Sequence, residues 1–324
     1  MTPRVRPRLL ALVAIAALLV AGWVLVGWYG GGPLKRDTAF IVPDGSSLGT
    51  VATKLARERA IDSPQGFRLR ARLFGGGAPI RAGEFLLPKG ASEARILHII
   101  QGEEVIRRFV TVPEGMPSIV VYERLAAQPY LTGPAPLPSE GSVLPDTYDF
   151  ERGEPRQAVL LRMEAAMQRT LNQLWPKRAP NLPIRTPQEA LVLASIVEKE
   201  TGKPSERKMV AGLYENRLRH GMMLQADPTI IYPITRGKPL GRRIRQSEIA
   251  ATNDWNTYSM VGLPKSPITN PGRASIEAVL HPAQTDALYM VADGTGGHVF
   301  ASTLEQHNAN VARWFAIRRA RGEI

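Results

Sequence analysis

The sequence predicts an α+β protein in three parts: an N-terminal transmembrane helix, a small mixed module, and a larger domain of mixed helix and strand. Three observations predict it. An uncharged apolar run fills Leu9 to Trp28, short β-rich runs alternate with amphipathic ones up to Val112, and long helical periodicities follow a proline-rich stretch. The chain has 324 residues, 44% hydrophobic and 22% charged, an ordinary globular composition. It has no cysteine, which excludes disulfides, thiolate nucleophiles and Cys-ligated metal sites.

Residues 1–8 form a basic tail with Arg4, Arg6 and Arg8. Residues 9–28 follow as a helix long enough to cross about 30 Å of hydrocarbon. Trp23 and Trp28 lie towards its far end. The basic flank places the N-terminus in the cytoplasm and the rest of the chain outside. A cleaved signal peptide would have a shorter apolar core, about 7–15 residues, and a small-x-small cleavage site. A retained single-pass anchor is the better reading.

Residues 29–37, with Gly30-Gly31-Gly32-Pro33, form a linker. The module at 38–112 begins with a strand, Thr38 to Val42, and a turn at Asp44-Gly45. A helix then carries Leu48, Val51, Ala52 and Leu55 at helical spacing. Phe67 to Leu73 is a second helix, Gly83 to Leu87 a strand, Ala91 to Gln101 a helix, and Val105 to Val112 a strand. In outline the module resembles a LysM-type carbohydrate-binding unit; a plain spacer is the alternative. Residues 113–139 supply a connecting helix near Pro117 to Ala127 and a Pro-rich hinge.

The domain at 140–324 opens with Glu140 to Tyr148; a long amphipathic helix, about Pro155 to Leu174, then precedes the helix it is organised around. Thr186 can cap that helix, Pro187 fits its first position, and Glu189 completes a capping-box spacing. Ala190 to Val197 is apolar except for Ser195, so the helix should be buried. Glu198 lies one turn after Ala194 and two after Leu191, on one face with them. A carboxyl group delivered by a buried helix is paired, neutral or facing a cleft. Glu200 lies roughly 200° around the axis, so the two cannot act as a pair. A polar, solvated last turn is the plainer reading of both.

Ser205 to Arg219 is a further helix. From Met222 to Pro271 helical periodicity fades and polar residues collect: Gln225, Asp227, Thr229, Tyr232, Asn256, Thr257 and Tyr258. Loops held by a rigid scaffold commonly line sites. A short helix at Ser275 to Leu280, a hairpin around Asp293-Gly294 and a last helix capped at Ser302 complete the chain, with Val311, Trp314 and Phe315 facing inward. The five histidines lack metal-ligand spacing, no Gly-x-Ser-x-Gly elbow occurs, and the Gly294–Gly297 run lacks the end of a phosphate loop. The net charge of +12 is scattered beyond the anchor, which suits a membrane surface or an anionic wall polymer better than nucleic acid.

The run Ala194-Ser195-Ile196-Val197-Glu198-Lys199-Glu200-Thr201 resembles the central motif of the MltG (YceG-like) endolytic murein transglycosylases. Supporting matches are Glu140-Gly141 with Leu144 to Tyr148, Asn216-Arg217-Leu218, Leu224 to Thr229, and Asn256-Thr257-Tyr258. Gly262-Leu263-Pro264, Asn270-Pro271-Gly272, Val291 to Gly294 and Gly297-His298 add to them. Asn253-Asp254-Trp255 departs from the family's usual Ser-Pro-Tyr.

The resemblance implies a bitopic inner-membrane enzyme that cuts the β-1,4 bond between N-acetylmuramic acid and N-acetylglucosamine in nascent peptidoglycan, leaving a 1,6-anhydro end. It implies glycan strands and the membrane as partners, with peptidoglycan synthases (penicillin-binding proteins) working beside it. It makes the motif's first glutamate, Glu198, the catalytic residue, with Ser195, Asn216 and the polar loop set around substrate. Hydrolytic glycosidases use two carboxyl groups, but a reaction that adds no water lets one serve twice, without metal or organic cofactor. The residue must start protonated, and the apolar face of Leu191 and Ala194 would favour the neutral form. A non-catalytic wall-binding scaffold and a muramidase using Asp227 as second carboxylate are the competing readings.

Overall fold

The computed structural model describes residues 7–324. The arginines at 4 and 6, which carry the orientation argument, lie outside the described residues. Helix α1 (Pro7–Tyr29) exposes Leu12, Leu18, Leu19 and Val26, and its Leu10–Tyr29 stretch is long and apolar enough to cross a membrane. The chain divides into two compact units, 1–108 and 109–324.

In the first unit β1 (Thr38–Val42) pairs antiparallel with β2 (Gly83–Leu87), Phe40 opposite Phe85. Between them run α2 (Leu48–Arg57) and α3 (Pro64–Phe74), and α4 (Glu93–Gln101) follows. Ser47, Ser63 and Ser92 each accept a backbone N–H of the first turn, the standard satisfaction of orphan helix donors. Phe40, Leu55, Phe67, Phe85, Ile96 and Ile100 fill the core. Trp28 of α1 joins it, 6.4 Å from the Phe67 ring and 6.0 Å from Phe74.

Strand β3 (Arg107–Thr111) carries the chain into the second unit and pairs with β4 (Thr147–Glu151). Residues 113–139, read from sequence as connector and hinge, belong to this unit. Val121 and Leu125 of α5 (Ser118–Ala126) and Leu131 are buried with Phe150 and with Leu160 and Met163 of α6 (Arg156–Leu174). The prolines shape the path there without freeing the chain from a core.

The centre of the unit is α7 (Pro187–Glu200). Thr186 caps it as expected, but the Glu189 carboxylate reaches back to the Arg185 N–H, one residue beyond a regular capping box. Every residue from Ala190 to Val197 is buried, against α8 (Arg207–Arg219) and α11 (Arg273–Leu280) among others. Between α8 and α11, where helical periodicity is weak, stand α9 (Asp227–Thr235) and the one-turn α10 (Gln246–Ile249). Pro228 occupies the first turn of α9 and Pro233 lies near its end, so the prolines that obscure the period also bound the helix.

The antiparallel pair β5 (Tyr289–Ala292) and β6 (His298–Ala301) leads to α12 (Leu304–Ala320), capped by Thr303 rather than Ser302. Phe315, expected to face inward, is exposed. One side chain ties distant segments together. Asn270 Nδ2 donates to Met116 O at 2.9 Å and Ser118 Oγ at 3.0 Å, while its Oδ1 accepts the Val143 N–H at 3.0 Å.

Candidate active site

Glu198 and Glu200 end α7, and the helix sends them to different surroundings. Glu198 follows Leu191 and Ala194; Glu200 follows Leu193 and Ile196, which are equally buried. From Ala190 to Val197 the helix has no solvent face, and both carboxyl groups that follow meet protein.

The Glu198 side chain is 5% exposed, and its Oε2 accepts the Gly272 N–H at 2.9 Å, at the N-cap of α11. Its Oε1 lies 3.5 Å from Arg207 Nη2, which also holds Glu114 Oε2 at 2.7 Å. A cation and a helix N-terminus both suit a negative charge. Gly272 leaves the space that the Glu114 side chain fills, since a Cβ there would fall 2.1 Å from Glu114 Oε1. Through these contacts Glu198 joins α7 to α11 and to the Glu114 loop.

Glu200 opens onto a cleft of about 210 Å³ lined by Tyr214, Arg217, Gln225, Asp227, Tyr258 and His298 among others. Glu198 is not among the lining residues. The Glu200 Oε1 atom is buried and has no hydrogen-bond partner. Burial first, and then the nearby Asp227 charge, push the Glu200 carboxyl up to about 8, against the opposing pull of the Tyr214 hydroxyl and Arg217. Its place at the C-terminal end of α7 acts in the same direction, since that end of a helix disfavours a negative charge.

The surrounding groups are fixed by their own bonds. The Tyr258 hydroxyl donates to Asp227 Oδ1 at 2.6 Å. Arg217, 8% exposed, donates to Leu288 O, Met223 O and Leu224 O, and holds Gln225 Oε1 at 3.2 Å. Gln225 adopts φ 52°, a left-handed conformation uncommon for a non-glycine residue and frequent at functional sites. His298 is gripped by Glu206, through its N–H at 3.0 Å and its Nδ1 at 2.9 Å.

Of the residues expected around substrate, Gln225, Asp227 and Tyr258 line the cleft. The others have structural partners. Ser195 Oγ donates to Val192 O and accepts the Ile268 N–H. Asn216 Nδ2 donates to Thr285 O and Ala287 O. Thr229 and Thr257 share a hydroxyl contact of 2.9 Å in the interior, and Asn256 Nδ2 donates to Ile249 O and Ala251 O. Tyr232 packs on Trp255 and bonds Glu140, whose buried carboxyl is pushed up to about 7. The unusual Asn253-Asp254-Trp255 stretch is braced in turn, Asn253 Oδ1 accepting the N–H groups of Trp255 and Asn256. Small buried hydroxyls and amides thus hold the loops that present the cleft.

Glu200, Tyr214, Arg217 and His298 also line the cleft, and sequence reasoning did not place them around substrate. Arg217 and His298 stood inside matched motifs, and Glu200 had the same apolar predecessors one and two turns back as Glu198.

The model of the YceG-like family matches residues 40–313. The chain is 25% identical to the endolytic murein transglycosylase of Bacillus subtilis (strain 168), over 90% of this chain and 89% of that protein. It is 27% identical to the endolytic murein transglycosylase of Streptococcus pneumoniae (serotype 2, strain D39), over 86% of this chain and only 58% of that longer protein. A crystal structure of a putative YceG-like protein from Listeria monocytogenes superposes with a TM-score of 0.52 at 25% identity, covering 85% of this chain and 99% of that one.

Proposed function

The chain belongs to the YceG-like family, and from that premise we propose that it is a peptidoglycan lytic transglycosylase acting within glycan strands, with Glu200 as its acid and base. The observation that carries the residue assignment is the buried, unpartnered Glu200 carboxyl oxygen in a cleft that holds the group neutral near pH 7. A neutral carboxyl can donate a proton that an ionised one cannot.

In the first step Glu200 protonates the bridging oxygen, and the bond from that oxygen to C1 of N-acetylmuramic acid breaks. The resulting carboxylate then takes the proton of the C6 hydroxyl as O6 bonds to C1. The proton returns to Glu200, no water is consumed, and the product ends in a 1,6-anhydro sugar. Asp227 keeps the acid protonated before the first step, while Arg217 and Tyr214 support the carboxylate after it. Gln225, Tyr258 and His298 offer polar groups to the sugar.

Because Asp227 shares the cleft, a hydrolytic route with Asp227 positioning water is the second reading. Mass spectrometry of products from purified glycan strands separates the two. Anhydro ends, lost in Glu200→Gln, are expected; reducing ends would establish hydrolysis, and neither product would favour a binding scaffold.

The same reading makes α1 a retained inner-membrane anchor with the rest of the chain outside the cytoplasm. It makes the β1-α2-α3-β2 unit a LysM-like glycan-binding module, and it sets the enzyme beside peptidoglycan synthases, where strands are made.

A further inference from the structure

Helix α3 carries Leu69, Leu73 and Phe74 at 49%, 60% and 42% exposure, on the same unit as the apolar helix α1. Three large apolar side chains left partly exposed at the end of one short helix are unfavourable in water. What covers them follows from where α3 meets α1. Phe67 and Phe74 flank Trp28, and the Arg70 guanidinium lies 5.1 Å from the Trp23 ring. Gly27 leaves the space that guanidinium fills, since a Cβ there would fall 2.7 Å from Arg70 Nη1.

The contacts thus run from Trp23 to Trp28, the last ~8 Å of the helix at 1.5 Å per residue. That depth matches the headgroup layer, which adds about 5–8 Å to each side of the hydrocarbon. An arginine at that depth needs a partner, and Arg70 has one: Glu93 accepts from Nε at 2.7 Å and from Nη2 at 2.5 Å, both side chains nearly buried. Leu69 and Leu73 are one turn apart, on the side of α3 adjoining Arg70. Arg68 and Arg72 form a second stripe, on the side away from α1. An apolar stripe bordered by arginines is the pattern of a helix lying in a lipid interface.

We propose that α3 is a second membrane contact: Leu69, Leu73 and Phe74 enter the bilayer surface beside α1, and Arg68 and Arg72 meet anionic phosphate headgroups. The proposal rests on the reading of α1 as a retained anchor. It makes the first unit a platform seated on the lipid, not a bead on a flexible tether.

The chain's lack of cysteine makes single-site labelling unambiguous. Full-length Leu73→Cys, Leu18→Cys (in α1) and Glu103→Cys variants would carry a nitroxide, in phosphatidylethanolamine–phosphatidylglycerol vesicles. Collision with oxygen, relative to a water-soluble nickel chelate, reads depth. At residue 73 the ratio should exceed severalfold that at 103 and approach that at 18. A ratio at 73 equal to that at 103, with 18 lipid-like, would overturn the proposal and leave the anchor standing. A label at 73 shielded from both reagents would mean that protein, such as a second copy, covers the face, and would also overturn it. A water-like label at 18 would remove the anchor and the proposal together.

Discussion

The two flanks of the last turn of α7 carry the same side chain two residues apart and treat it oppositely. On one flank Glu198 faces Arg207 and the Gly272 N–H at the start of α11. On the other, Glu200 faces a cleft, a second carboxylate and the negative end of its own helix, with one oxygen left bare. The first arrangement spends a charge on architecture. The second leaves a carboxyl oxygen unpartnered. On the proposed reading, reactivity is set by which neighbours are missing as much as by which are present.

The largest expected effect tests this contrast through activity. Glu200→Gln should lower cleavage by about 10²–10⁴, the usual loss on removing general acid–base catalysis. Glu198→Gln should cost much less, and equal losses would collapse the distinction between the flanks.

Stability should move the opposite way. An unfolded glutamate ionises near 4.5, and Glu200 in the fold near 8. Between those values the folded chain binds the extra proton, so stability declines as pH rises. Glu200→Gln should therefore raise the melting temperature at pH 8 by at least about 2–4 °C, or ~1 kcal/mol, with the gain vanishing below pH 4.5. Glu198→Gln should destabilise by about 1–2 kcal/mol, since it weakens a charge-assisted bond and a partner of Arg207. Calorimetry across pH checks both signs.

The finest test is the alkaline limb of kcat/KM. It should fall through about 8 as the Glu200 proton is lost. Asp227→Asn should move the limb to lower pH by removing a charge that opposes ionisation, and Tyr214→Phe should move it slightly higher by removing a bond that favours ionisation. Limbs that stay in place would mean that another group sets the profile.

Much of this was legible beforehand. The N-terminal apolar helix, the capped central helix, the hairpin and the cleft position of Gln225, Asp227 and Tyr258 follow from hydropathy, caps and turn residues. The choice between Glu198 and Glu200 does not. Periodicity locates an apolar face only when another face is wet, and α7 is dry all round from Ala190 to Val197. The roles of Ser195, Asn216, Thr229, Asn256 and Thr257 were hidden for a related reason. A polar residue in a matched motif looks the same in sequence whether it meets substrate or a neighbouring carbonyl.

The Asn270 amide has a consequence for how the protein is made. Its bonds to Met116 and Ser118 close loops of 154 and 152 residues, and the one to Val143 closes a loop of 127. Each such closure costs about 4 kcal/mol of chain entropy before any contact repays it. A chain emerging N-terminus first therefore has no second unit to assemble until residue 270 has followed. On the exported reading, the first unit can settle while its C-terminal half is still in transit, whereas the catalytic unit matures only once threading is nearly over. Truncations ending before Asn270 should then yield an anchored, folded first unit trailing a protease-sensitive tail.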